Sequence, residues 1–169
     1  MSLFERLAKE RQDRNDQFER ERQNRLAESA RRENARRQED ELHRAAQNHF
    51  EGTPLPNVLS QLGQFTGGKI SSGNDYSSTG RNGYRASIDF GRHVVGHKNA
   101  SDVWETRYIN VTSNPDGSIE ISASGGKTIR TTSGMLQHDP VKVEHLIEQA
   151  YDSMKPVQYE MRPPKISLS

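Results

Sequence analysis

The first fifty residues contain neither proline nor glycine, although the chain as a whole has 7 prolines and 13 glycines. Those two residues are the usual helix breakers, so their absence leaves one continuous helix open to the segment. Its charges fit that helix. Acids precede bases by four positions in Glu5–Lys9, Glu10–Arg14, Asp16–Arg20, Glu21–Arg25, Glu28–Arg32, Glu33–Arg37 and Asp40–Arg44. Acid before base at this spacing is the favourable orientation, worth about 0.2–0.5 kcal/mol per pair. Ser2 followed by Glu5 has the spacing of a capping box, which starts the helix almost at the first residue. At 1.5 Å per residue such a helix is about 70 Å long.

A core for that helix is missing from its own composition. Residues 1–50 carry 23 of the 47 charged side chains but only seven of the 31 Leu, Ile, Val and Phe residues. Residues 51–169 hold the other 24, enough for one modest core. On a heptad, Phe4, Leu7, Phe18, Ala35, Leu42 and Ala46 share the two seam positions, while Arg11, Arg14, Glu21, Arg25, Glu28, Arg32, Glu39 and His49 interrupt them. That is too broken for a regular coiled coil, which needs sustained apolar a and d sites. The segment therefore reads as a free-standing charged helix, a weak or hetero-oligomeric coiled coil, or a helix laid on a partner. Phe4, Leu7, Phe18, Leu26 and Leu42 are the candidate partner-binding residues.

Gly52, Pro54 and Pro56 end the helix near Phe50 and set the expected boundary between an arm, 1–50, and a small domain, 51–162. Leu55, Val58, Leu59, Leu62 and Phe65 at helical spacing predict a short amphipathic helix ending at Gly67-Gly68. Residues 66–83 are almost all small or polar and read as a mobile loop. From Tyr84 the period becomes two. Strands are expected at Tyr84–Phe90, then, after a linker over Gly91–Asp102 that could hold a short central strand, at Val103–Thr112, at Ser118–Ala123 and at Lys127–Thr132, with Asn114-Pro-Asp-Gly117 as the turn between the second and third. Asp139-Pro140 supplies a cap and first turn for a final helix whose apolar face is Val143, Leu146, Ile147, Ala150, Tyr151 and Met154. Residues 163–169 read as a flexible tail. The expected fold class is α+β, in the order α-α-β-β-β-β-α: a long charged N-terminal helix, then an antiparallel meander covered by helices.

The motifs exclude more than they assign. Gly63-Gln-Phe-Thr-Gly-Gly68-Lys69 has phosphate-loop spacing, but Ile70 stands where a Ser or Thr should hold magnesium, and a helix precedes it in place of a strand. His93 and His97 are four apart, but the nearby Gly91 and Gly96 break the helical geometry a shared metal would need, and there is no cysteine. No Ser/His/acid set stands out. No metal, cofactor or catalytic residue is expected. Asn99-Ala-Ser101 and Asn110-Val-Thr112 match the glycosylation pattern by chance. Without an apolar run of membrane-spanning length or a secretory h-region, an intracellular, cytoplasmic protein with no membrane partner is expected.

Two function classes remain. The first is a non-enzymatic interaction or assembly protein, in which the domain docks or oligomerises and the arm bridges to a protein partner or a second copy. The second is an RNA- or DNA-binding accessory protein using Arg31, Arg32, Arg36, Arg37, Trp104 and Tyr108. Trp104, Thr106, Tyr108 and Asn110 share one strand face; Val103, Glu105, Arg107, Ile109 and Val111 share the other. If the second face is buried, Trp104 and Tyr108 form an exposed aromatic platform of the kind that stacks on bases. The alternative is that Trp104 is core and a bulge resets the register. The 12 bases of the arm meet 11 acids, so self-paired charge competes with phosphate contacts there.

Overall fold

A computed structural model describes residues 2–75, 82–98 and 101–157. The chain divides into two units, Met1–Glu41 and Leu42–Ser169. Helix α1, Leu3–Glu51, runs through the first and supplies the start of the second. Its capping box closes reciprocally: the Ser2 backbone N–H donates to Glu5 Oε2 at 2.6 Å, and the Glu5 N–H donates to Ser2 Oγ at 3.3 Å. All described side chains of the first unit are exposed. Glu28–Arg32 and Glu33–Arg37 form ion pairs at 2.5 Å, as their spacing predicts.

The second unit is built on a five-stranded antiparallel sheet in simple meander order. Its strands are β1 (Lys69–Asp75), β2 (Gly83–Lys98), β3 (Ser101–Ser113), β4 (Ser118–Ala123) and β5 (Thr128–Thr132). Three further helices are α2 (Leu55–Thr66), the single-turn α3 (Ser133–Leu136) and α4 (Pro140–Asp152). The α+β class and the meander hold. One strand is added, because β1 lies inside the stretch expected to be a loop. Its sequence, KISSGND, has a single large apolar residue and no alternation to read. It is a strand because β2 offers a free edge, along which Ser71 pairs with Ser87 and Ser72 with Ala86. The rest of the expected loop, 76–81, and the expected tail, 163–169, lie outside the described residues.

The pleat sorts the sheet into two faces. On one, register rows run Ile70–Ile88–Ile109–Ala123 and Ala86–Val111–Ile121–Ile129. Apart from Ile70, which is exposed at the edge, these residues pack with Phe50, Leu55, Leu59, Leu136, Val143, Ile147 and Met154 in one core. The valine/isoleucine face of β3 is therefore the inner one. Bulges do occur, but in the partner strand β2, between Asp89 and Gly91 and between Val94 and Gly96. Arg107 and Glu105, farther along the inner face, meet the end of the last helix. The Arg107 guanidinium lies 5.1 Å from the Tyr151 ring centroid, and Lys155 Nζ lies 2.7 Å from Glu105 Oε1.

The last ten residues of α1 belong to this core. Ala46 and Phe50 are buried, and the Phe50 ring is 5.3 Å from that of Tyr84. His43 Nδ1 is 3.2 Å from the Gly83 carbonyl oxygen. Thr53 then joins the helices, donating from Oγ1 to the Phe50 carbonyl at 2.8 Å and accepting the Leu55 N–H at 3.3 Å. The unit thus begins at Leu42, ten residues before the composition break at Gly52. At the other end, Asp139 caps α4 by accepting the Lys142 N–H at 2.9 Å. Val143, Ile147 and Ala150 face inward, and Leu146 and Tyr151 are half-buried at the margin.

Candidate functional site

Three surfaces carry side chains that the fold leaves unused. The first is the helix of the first unit. Phe4 is 80% exposed, Phe18 67% and Leu26 63%, with Leu7 about half exposed. Leu42, the first residue of the second unit, is also exposed. The heptad does not collect the first four, but an 11-residue period does: Leu7 and Phe18 are 11 apart, and Phe4 and Leu26 are 22 apart. At about 100° per residue all four fall within an arc of about 100°, so they form one straight stripe. Around Phe18 and Leu26 the side chains of Glu21, Arg22 and Arg25 line a shallow apolar hollow.

The second surface is the outer face of the sheet. A row of small polar residues crosses all five strands, Ser71–Ser87–Asn110–Ser122–Thr128. Within it Ser87 Oγ donates to Asn110 Oδ1 at 2.6 Å. Beside it stand Arg85, Thr112, Glu120 and Arg130, where Arg130 Nε donates to Glu120 Oε1 at 3.0 Å. Tyr108 and Trp104 extend along β3, each 38% exposed. Trp104 lies opposite the buried Val94 and Tyr108 opposite Asp89, while Ser124 bonds the Tyr108 backbone from the other side. Of the candidate nucleic-acid residues, this face brings together Trp104 and Tyr108. Arg31, Arg32, Arg36 and Arg37 are in the first unit, where Arg32 and Arg37 are held by Glu28 and Glu33.

The third surface was not anticipated. A groove of about 390 Å³ runs between α2 and α4, floored by Val58, Leu62, Ile147 and Tyr151 and rimmed by Gln61, Glu144 and Glu148. Phe65, placed by its spacing on the core-facing side of α2, stands at this groove and is 90% exposed. Close approach at Gly63 explains the displacement. A Cβ there would fall 2.9 Å from Ile70 Cδ1, so β1 occupies the place beside the last turn of α2. The only available sequence signal was the adjacency of Leu62 and Phe65 to a second helix of complementary apolar period.

Among the described residues no group of three His, Asp or Glu side chains could hold a metal ion, and no helix is long and apolar enough to cross a membrane. His49 Nδ1 lies 3.0 Å from Ser133 Oγ, a Ser–His contact that ties the last turn of α1 to α3. No known family, curated protein or solved structure matches the chain.

Proposed function

We propose that this chain is a non-enzymatic interaction and assembly protein whose charged N-terminal helix binds a protein partner. The observation that supports it is the stripe of Phe4, Leu7, Phe18 and Leu26, exposed along a helix that is otherwise charged. Helical stability in water comes mostly from packing an apolar face. Within its own unit this helix has no such packing, and four large apolar side chains on one arc offer it to another molecule. Sedimentation velocity of the full chain over a concentration series is the direct test. Concentration-dependent association, or co-sedimentation of a partner, that disappears in Phe18→Asp supports the reading. Identical behaviour of the wild type and that variant in both assays removes it.

A second reading is favoured by one observation: Trp104 and Tyr108 are open on a polar sheet face that also carries Arg85 and Arg130. Aromatic platforms beside bases bind single-stranded nucleic acid. The ion pairs of Arg130, Arg32 and Arg37 with glutamates weigh against it, since each spends a cation that phosphate would need. Titration of the full chain with a single-stranded oligonucleotide at low and high salt separates the two. Tight, salt-dependent binding that falls in Trp104→Ala would put nucleic acid in first place.

A further inference from the structure

We propose that the groove between α2 and α4 seats the N-terminal helix of a second copy of this chain, with Phe18 as the anchor and Arg22 and Arg25 meeting Glu144 and Glu148. The inference rests on the assembly reading above and names the partner and the residues that touch.

The groove defines its occupant chemically. Its floor is apolar, and Phe65, at 90% exposure, stands at its side as a wall with nothing against it. Its charged lining residues are Glu144 and Glu148 alone. On α4 itself His145 Nδ1 stands 3.8 Å from Glu148 Oε2, while Glu144 has no ion pair among the described residues. A segment that fills the groove must therefore bring one large apolar side chain and at least one base within a turn of it. An amphipathic helix in an apolar groove does this with anchors at helical spacing.

The first unit carries that complement. Phe18 is 67% exposed, and Arg22 and Arg25 lie one and two turns after it around the same hollow, where they outnumber its one acid, Glu21, which accepts a bond from Gln17. Arg25 has no ion pair among the described residues, and Arg22 has only a long one, 3.7 Å to Glu19. The spacing agrees as well. Glu144 and Glu148 are four apart on α4 and Arg22 and Arg25 three apart on α1, so each pair spans about 5–6 Å on its helix surface. Two ion pairs and one aromatic insertion can then form together. A second copy meets these terms with residues already in the chain, and each copy would offer one helix and one groove.

The test places a photoreactive group in the groove of the full chain. Phe65→p-benzoylphenylalanine alters a side chain with almost no contacts, so folding is unaffected. Equal amounts of isotopically heavy and light protein are mixed, irradiated and digested. Heavy–light crosslinks from position 65 to the segment around Phe18 are the expected result. Crosslinks to that segment only within one copy, or to another surface, overturn the proposal. A second measurement uses charge. Glu144→Lys with Glu148→Lys should weaken self-association by about tenfold or more, and adding Arg22→Glu with Arg25→Glu should restore it. If Phe18→Asp abolishes association while the groove variants leave it intact, the helix still assembles the protein and the groove is not its seat. A wild type that stays monomeric throughout also overturns the proposal, and leaves the assembly reading to rest on a different partner.

Discussion

Ser133 Oγ and His49 Nδ1 lie 3.0 Å apart and join residues 84 positions apart in the chain, fastening the last turn of α1 to the start of α3. The Ser133 N–H also donates to the Gly117 carbonyl at 2.8 Å, so the β3–β4 turn is held at the same point. Removing the side-chain bond should cost about 0.5–1.5 kcal/mol, the usual net value of one hydrogen bond. Urea unfolding of Ser133→Ala, His49→Ala and the double variant measures it. The two single effects should fail to add, and simple additivity would mean the bond contributes nothing.

Gly117 sits beneath that contact with φ of 82°, a left-handed conformation that side chains with a Cβ adopt at a cost. A Cβ there would also come within 3.1 Å of Ser133 Oγ and 3.3 Å of His49 Cε1. Gly117→Ala should therefore destabilise the unit by about 1–2 kcal/mol through the backbone alone, and more if the Ser133–His49 contact is displaced. Thermal unfolding checks this; an unchanged midpoint would show that the turn relaxes freely.

The second unit should fold when the chain starts at Leu42 and not when it starts at Gly52. The shorter piece lacks Ala46 and Phe50, whose burial completes the core beside Leu55 and Tyr84. Phe50→Ala in the full chain should cost about 3–5 kcal/mol, a large part of a small domain's stability. Cooperative unfolding of 52–169 equal to that of 42–169 would show that the end of α1 is dispensable.

On α4, burial grades the expected effects of truncation. Ile147→Ala removes a core side chain that is 4% exposed and should cost about 2–5 kcal/mol. Leu146→Ala, at the half-buried margin, should cost distinctly less. Val141→Ala, at 72% exposure, should stay within about 0.5 kcal/mol. Equal losses at 146 and 147 would mean the helix is rotated from its described orientation.

Charge should set the strength of assembly. In the proposed assembly the groove rim and the helix meet through exposed carboxylates and guanidinium groups, so raising the salt from low to physiological strength should weaken self-association of the wild type. The same change should have little effect on the Glu144→Lys/Glu148→Lys protein. Light scattering at both ionic strengths reads the difference. Association that strengthens with salt would point to the apolar contacts alone.

Local physics was legible where neighbours in sequence settle the structure. The helix over Leu3–Glu51 follows from the absence of breakers and the four-residue charge pairs, and the caps at Ser2 and Asp139 were visible in two or three residues. Strand β4 was readable from Ser118–Ala123 because its alternation is strict and one face is buried. Strand β1 was not, because Ile70 is its one large apolar residue and its pairing depends on the edge of β2. Phe65 was misplaced for a related reason. Helical period puts it in line with Leu62 and Val58, but whether that line is covered depends on where β1 and α4 lie.

The amino-acid sequence by itself therefore determined α1, α2, α4, the first part of β2 and strands β3–β5, with the caps at Ser2 and Asp139, the turn at Asn114–Gly117 and the α+β class, because each rests on interactions within a few residues. Tertiary structure alone decided which face of β3 is the core, since Trp104 and Ile109 are both apolar enough to be buried and only packing against α2 and α4 separates them. It also decided that α1 is shared between two units. Nothing in the composition distinguishes Ala46 and Phe50 from the apolar residues earlier in the same helix. They are buried because the start of β2 and the β3–β4 turn stand beside this part of the helix, whereas Phe4, Phe18 and Leu26 remain exposed.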